Sequence, residues 1–126
     1  MGISTEEEKL ARIAANLNRH NKLEDKRIKK KVREANDEVQ RLVRRFREID
    51  PDIDRIVLFG SLAEGTVYSL HFDIDLAVRS GRYLELVGCG LNSSFSVDVV
   101  DLDNLAEPIR AAVEKYGKVL YEKKTH

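Results

Sequence analysis

Two short apolar runs, Arg55–Phe59 and Phe72–Val78, joined by a glycine-bearing loop, restrict this chain more than any other feature. The first run ends in Gly60-Ser61. The second carries Asp73 and Asp75 between Phe72, Ile74, Leu76 and Val78. A period of two is the signature of a strand, and side chains at i and i+2 leave it on the same face. Asp73 and Asp75 therefore project together, away from the apolar set. Two carboxylates on one face repel each other, and a divalent cation that favours hard oxygen ligands, such as magnesium, relieves the repulsion. Gly60-Ser61, opening a helical turn, offers backbone N–H groups to a phosphate. A phosphate cradle beside metal-binding acids is the equipment of phosphoryl or nucleotidyl transfer.

A third acid has a candidate in Asp98, inside the β-branched run Ser96–Leu102. Alternation puts Asp98 on a face with Ser96 and Val100, away from Val97 and Val99. Asp101 and Asp103 lie close, and a shift of register would exchange one of them for Asp98. Taken alone, Gly60-Ser61 is an ordinary turn and the acids a solvated strand face. Aspartate is depleted in strands, however, and two on one face of an apolar strand call for a reason.

This pattern resembles the minimal nucleotidyltransferases of the DNA polymerase beta superfamily, MntA-like antitoxin type. Their signature is Gly-Ser, a loop, Asp-x-Asp on the next strand and a third acid on a later strand. The likeness spans roughly residues 50–123 and includes a tail, Pro108 to Glu122, like that family's last helix and closing strand. The resemblance implies catalytic and metal-binding roles for Asp73, Asp75 and Asp98, and nucleotide binding at Gly60 and Ser61. It implies two Mg2+ ions, with Mn2+ as a substitute. It also implies transfer of a nucleoside monophosphate, AMP from ATP, to a hydroxyl, there a tyrosine of an all-helical HEPN-type toxin. Three departures stand out. Glu64 occupies the place of a usual basic residue, Phe72 that of a usual serine, and the loop of 11 residues between Ser61 and Asp73 is longer than the common pattern. They motivate an alternative, a catalytically weak or inactive binding module that acts through its N-terminal helices.

The expected fold class is α/β (α+β): a small mixed sheet with helices on one face, preceded by a long helical extension. Residues 1–49 form the extension and residues 50–126 the nucleotidyltransferase domain. From Thr5 to Ile49 there is neither Gly nor Pro. Ser4 or Thr5 followed by Glu6-Glu7-Glu8 suits a helix start. Leu10, Ile13, Ala14 and Leu17 form one stripe. Ile28, Val32, Ala35, Val39, Leu42, Phe46 and Ile49 form a heptad-like seam. The segment reads as one helix, or as two with a break near Asn18–Asn21. Val39–Ile49 is expected to pack on the sheet, and residues 5–35 to need another helix, from a second copy or a partner protein.

Charge divides with the chain. Residues 1–49 hold 14 Lys+Arg against 9 Asp+Glu, and residues 50–126 hold 8 against 13. The basic run Lys26–Arg33 reads as a solvated helix, with nucleic-acid contact as the alternative. Beyond strand two, Tyr83–Val87 reads as a short helix or irregular segment, Gly88-Cys89-Gly90 as a turn, Asp103 or Asn104 as the cap of a helix to Tyr116, and Lys118–Glu122 as an edge strand. His71, Arg79 and Arg82 are candidate phosphate contacts and Tyr68 a candidate base-stacking ring. One cysteine, Cys89, without a basic neighbour in sequence, reads as inert, and its solitude suits a cytoplasmic protein. No apolar run has the length of a membrane span.

Overall fold

A 45-residue helix, α1 (Thr5–Ile49), dominates the computed structural model, which describes residues 5–124. At 1.5 Å per residue it is about 67 Å long. It runs unbroken through Asn18–Asn21, so the extension is one helix. Glu6, Glu7 and Glu8 occupy its first turn, where acids complement the helix dipole. The Ser4 cap lies outside the described residues.

Beyond α1 the order is β1 (Arg55–Phe59), α2 (Ser61–Glu64), β2 (Ile74–Arg79), α3 (Tyr83–Leu91), β3 (Val97–Asp101), a 3-10 turn at Leu102–Asn104, α4 (Ile109–Tyr116) and β4 (Lys118–Glu122). The sheet order is β3-β2-β1-β4. β1 is antiparallel to β2 and β4, while β2 and β3 are parallel, joined by the crossover through α3. This is a mixed sheet in an α/β fold, as expected.

The seam of α1 meets one face of the sheet. Ala35, Val39, Leu42 and Phe46 join Ile56, Leu58, Ile74, Leu76, Val78, Val97 and Val99 in a single buried cluster, with Leu86 of α3 and Leu62 of α2. The core therefore draws on both sides of the expected division at residues 49 and 50. Ile28 is also buried, so α1 is covered by its own chain from Ile28 onward, earlier than the sequence pattern suggests. The loop after α2, residues 65–70, reaches up to that part of the helix, a contact the sequence reading did not foresee. Val67 packs on the core, and Lys31 Nζ donates to the Leu70 carbonyl at 2.5 Å. Asp50, buried after the helix, accepts from Ser80 Oγ (2.6 Å) and from the Asp52 amide (2.9 Å), which satisfies a carboxylate in the core.

On the opposite face Val57, Phe59 and Ala77 form a smaller cluster with Val100, Leu102 and Val113 of α4. α4 thus sits over that face, while α1 and α3 cover the first, so helices lie on both faces of the sheet and not on one as expected.

Three local expectations are corrected. Gly88, Cys89 and Gly90 are helical, not a turn, because Gly90 packs where an added Cβ would stand 3.1–3.2 Å from Val99 and Val97. Tertiary packing overrides glycine's poor helix propensity there. α4 starts at Ile109 rather than at Asp103 or Asn104. The Asp101 carboxylate instead accepts from the Asp103 amide and closes the 3-10 turn, and Pro108 disfavours a helical Glu107. β2 begins at Ile74, so Phe72 and Asp73 precede the strand.

Candidate active site

The register of the sheet brings the acids together. Phe59 lies opposite Asp75 across the β1–β2 pair, and Asp75 lies opposite Asp98 across β2–β3. Alternation turns Ile74, Leu76, Val97 and Val99 into the core, so Asp75 and Asp98 leave the other face. Asp73 stands two residues upstream, at the mouth of β2. One carboxylate oxygen from each of Asp73, Asp75 and Asp98 lies within 4.8 Å of the other two. The observed register selects Asp98 over Asp101 and Asp103. Asp101 caps the 3-10 turn, and Asp103 pairs with Arg79 at 2.8 Å.

Asp73 and Asp98 are exposed and Asp75 is half-buried. Burial, and then the charges of Asp98 and Asp73, push the Asp75 carboxyl up from 3.8 to about 6. Among the described residues no cation pairs with the three acids and no side-chain hydrogen bond reaches them. Three converging oxygen donors with unrelieved like charge fit a hard divalent cation.

Gly60 is part of this geometry. It has φ +79 and is the cap residue of α2. A Cβ on it would fall 2.1 Å from Asp75 Oδ2. The sequence reading gave Gly60-Ser61 the task of offering backbone N–H groups to a phosphate; the nearest constraint on Gly60 is the Asp75 carboxylate. Ser61 does not cap the turn. It is the first helical residue, half-exposed, directly after Gly60 at the same end of β1 as Asp75. Glu64 is exposed at the far end of α2.

Asp73 is held by the loop before it. Lys31 of α1, already bonded to Leu70, also carries its ammonium 5.6 Å from the Phe72 ring centroid, next to Asp73. Ser69 Oγ donates to the His71 carbonyl and accepts from the His71 amide, both at 3.0 Å. A cleft of about 550 Å³ opens beside Asp73, lined by Lys31, Glu34, His71, Phe72, Phe95 and Ser96. Sequence reasoning missed Lys31, because nothing local to a charged helix marks one lysine as the one that meets a loop 39 residues away.

The other candidates do not converge on the acids. Arg79 pairs with Asp103, and Arg82 pairs with Glu85 at 3.3 Å. Tyr68 is 82% exposed. Cys89 does gain basic neighbours, Arg41 and Arg45 of α1, but burial dominates and raises its thiol pKa.

The sequence profile described as "Polymerase beta, Nucleotidyltransferase" matches residues 40–126. The chain belongs to that family. Known folds agree with this nucleotidyltransferase assignment. A crystal structure of a toxin–antitoxin with AMP-PNP is 27% identical, with a TM-score of 0.52, over 70% of this chain and 73% of that one. Two MntA-HpeT toxin–antitoxin variants are similar. One has a tyrosine changed to alanine (27% identity, TM-score 0.51, 71% and 73% covered). The other has two aspartates, two positions apart, changed to glutamate (25%, 0.52, 70% and 73%). No curated protein matches the chain. Among the described residues no helix is long and apolar enough to cross a membrane.

Proposed function

We propose that this nucleotidyltransferase transfers AMP from ATP to a hydroxyl acceptor, a tyrosine of a HEPN-type helical toxin, and so acts as the antitoxin of the pair. The observation that carries the proposal is the convergence of Asp73, Asp75 and Asp98 on the sheet face opposite the main core, at the end where Gly60-Ser61 turns. The family match, the AMP-PNP complex and the toxin–antitoxin relatives support it.

In this reading Asp73, Asp75 and Asp98 would hold two magnesium ions. Once bound, these supply charge to the phosphates and acidify the acceptor hydroxyl. Asp75 joins as the ionised carboxylate, the form that predominates above about 6. Gly60 and Ser61 present backbone N–H groups to the phosphates. The acceptor oxygen attacks the α-phosphorus, the bond from that phosphorus to the bridging oxygen breaks, and pyrophosphate departs. The acceptor proton passes to an Asp98 carboxylate oxygen. Glu64 is exposed to solvent at the last position of α2, which screens its charge. A cytoplasmic setting, with its ATP and magnesium, suits the reaction.

The test is isothermal titration of ATP, GTP, CTP and UTP, with and without magnesium, into the wild type and Asp73→Asn/Asp75→Asn. Magnesium-dependent ATP binding that the double variant loses is the expected result. If the wild type binds no nucleotide, the transferase reading fails and the chain is a binding module of the same fold.

A further inference from the structure

The first five turns of α1 bury nothing. Residues 5–23 are exposed on every side, with Leu10 at 66%, Ile13 at 55% and Leu17 at 56%. The family match begins only at residue 40, so this arm is no part of the nucleotidyltransferase domain. At 3.6 residues per turn, 18 residues are five whole turns. Leu10, Ala14 and Leu17 each stand 18 residues before Ile28, Val32 and Ala35, on the same face as the seam that enters the core. The stripe is therefore the packing face of α1 carried beyond the body that covers it.

We infer that the arm pairs with the arm of a second copy, antiparallel, to form a two-fold dimer. Three features argue for this occupant. First, the stripe positions 10, 13, 14 and 17 read the same in reverse. An antiparallel copy centred between Ile13 and Ala14 sets Leu10 opposite Leu17 and the larger Ile13 opposite the smaller Ala14, twice over. Second, the charge order complements itself only in this orientation. The acidic turn Glu6–Glu8 of one copy comes alongside Arg19, His20 and Lys22 of the other, whereas a parallel pair stacks acids on acids. Third, the lengths agree. Overlap of residues 5–22 spans about 27 Å and ends before Ile28, where the body begins, so the two bodies sit at opposite ends without collision. A self-complementary patch of this kind is what a two-fold interface requires. An 18-residue helix pair buries on the order of 1,000 Å² in total, below the range of stable specific interfaces, so the dimer dissociates in the micromolar range.

Sedimentation equilibrium of the full chain from about 1 to 200 µM reads the outcome. The weight-average mass is expected to rise from 14.4 kDa toward twice that value. Leu10→Glu/Leu17→Glu abolishes the rise while the thermal transition of the body persists. Glu6→Lys/Glu8→Lys raises the dissociation constant about tenfold, and adding Arg19→Glu/Lys22→Glu to the same chain restores it. A monomer at 200 µM overturns the inference and assigns the stripe to a different protein. So does a trimer or larger species, or association that survives Leu10→Glu/Leu17→Glu. Failure of the compensating charges to restore association overturns the antiparallel orientation. None of these readouts depends on nucleotide binding or transfer.

Discussion

Asp75→Asn should make the metal-free protein more stable while removing its metal site. In the folded chain the carboxyl is raised from 3.8 to about 6, by burial first and by Asp98 and Asp73 next. A shift of about two units corresponds to about 3 kcal/mol as an upper bound. Asp75 is half-exposed, and solvent screening reduces this to about 1–2 kcal/mol. The sign follows from proton binding. Between 3.8 and 6 the folded state holds a proton that the unfolded state has lost, so stability falls as pH rises through that window. Above it the full penalty of the ionised Asp75 applies; below it there is none. Asparagine keeps the shape and drops the charge. In EDTA at pH 7.5 the variant should melt about 5 °C higher than the wild type. That advantage should shrink as the pH falls through 6 and disappear below 3.8. Magnesium or manganese should raise the melting temperature of the wild type and not of the variant. Equal or lower stability of Asp75→Asn at pH 7.5 in EDTA would refute the reasoning, since it would mean that neither burial nor the neighbouring carboxylates penalise the ionised Asp75.

Other substitutions probe the surrounding parts. Gly60→Ala places a Cβ 2.1 Å from Asp75 Oδ2 at φ +79, so it should cost about 1–3 kcal/mol in backbone strain and displace the carboxylate. Urea denaturation and manganese titration read the two effects, and an unchanged manganese affinity would show that Asp75 is not crowded by this turn. Lys31→Met removes the bond to the Leu70 carbonyl and should weaken metal binding severalfold through Asp73, with a stability loss of about 1–2 kcal/mol. Calorimetric manganese binding equal to wild type would discard that role. Phe46→Ala empties a fully buried site at the centre of the α1–sheet contact and should cost about 3–5 kcal/mol by chemical denaturation. A loss under 1 kcal/mol would mean that α1 is not integral to the core.

Much of the site was legible because its pieces are local. Asp73 and Asp75 are two residues apart, and Gly60-Ser61 sits at the end of the same apolar run that pairs with them. Asp98 was legible only as a candidate, since alternation gives a face but no partner strand. Gly60 was read as a phosphate contact, whereas its side-chain-free position is set by Asp75. Lys31 was not legible at all.

Periodicity and turn residues act over a few positions, so the sequence alone determined the strands, their buried faces, the helical character of residues 5–49 and the pair of acids. Which acid faces Asp75, why position 60 tolerates no side chain, which lysine holds the Asp73 loop and where α1 leaves the core were decided by the tertiary structure. Each of these depends on strand register or on contact between segments tens of residues apart. Such contacts are set by the packing of the whole core, and no local stretch of chain encodes them.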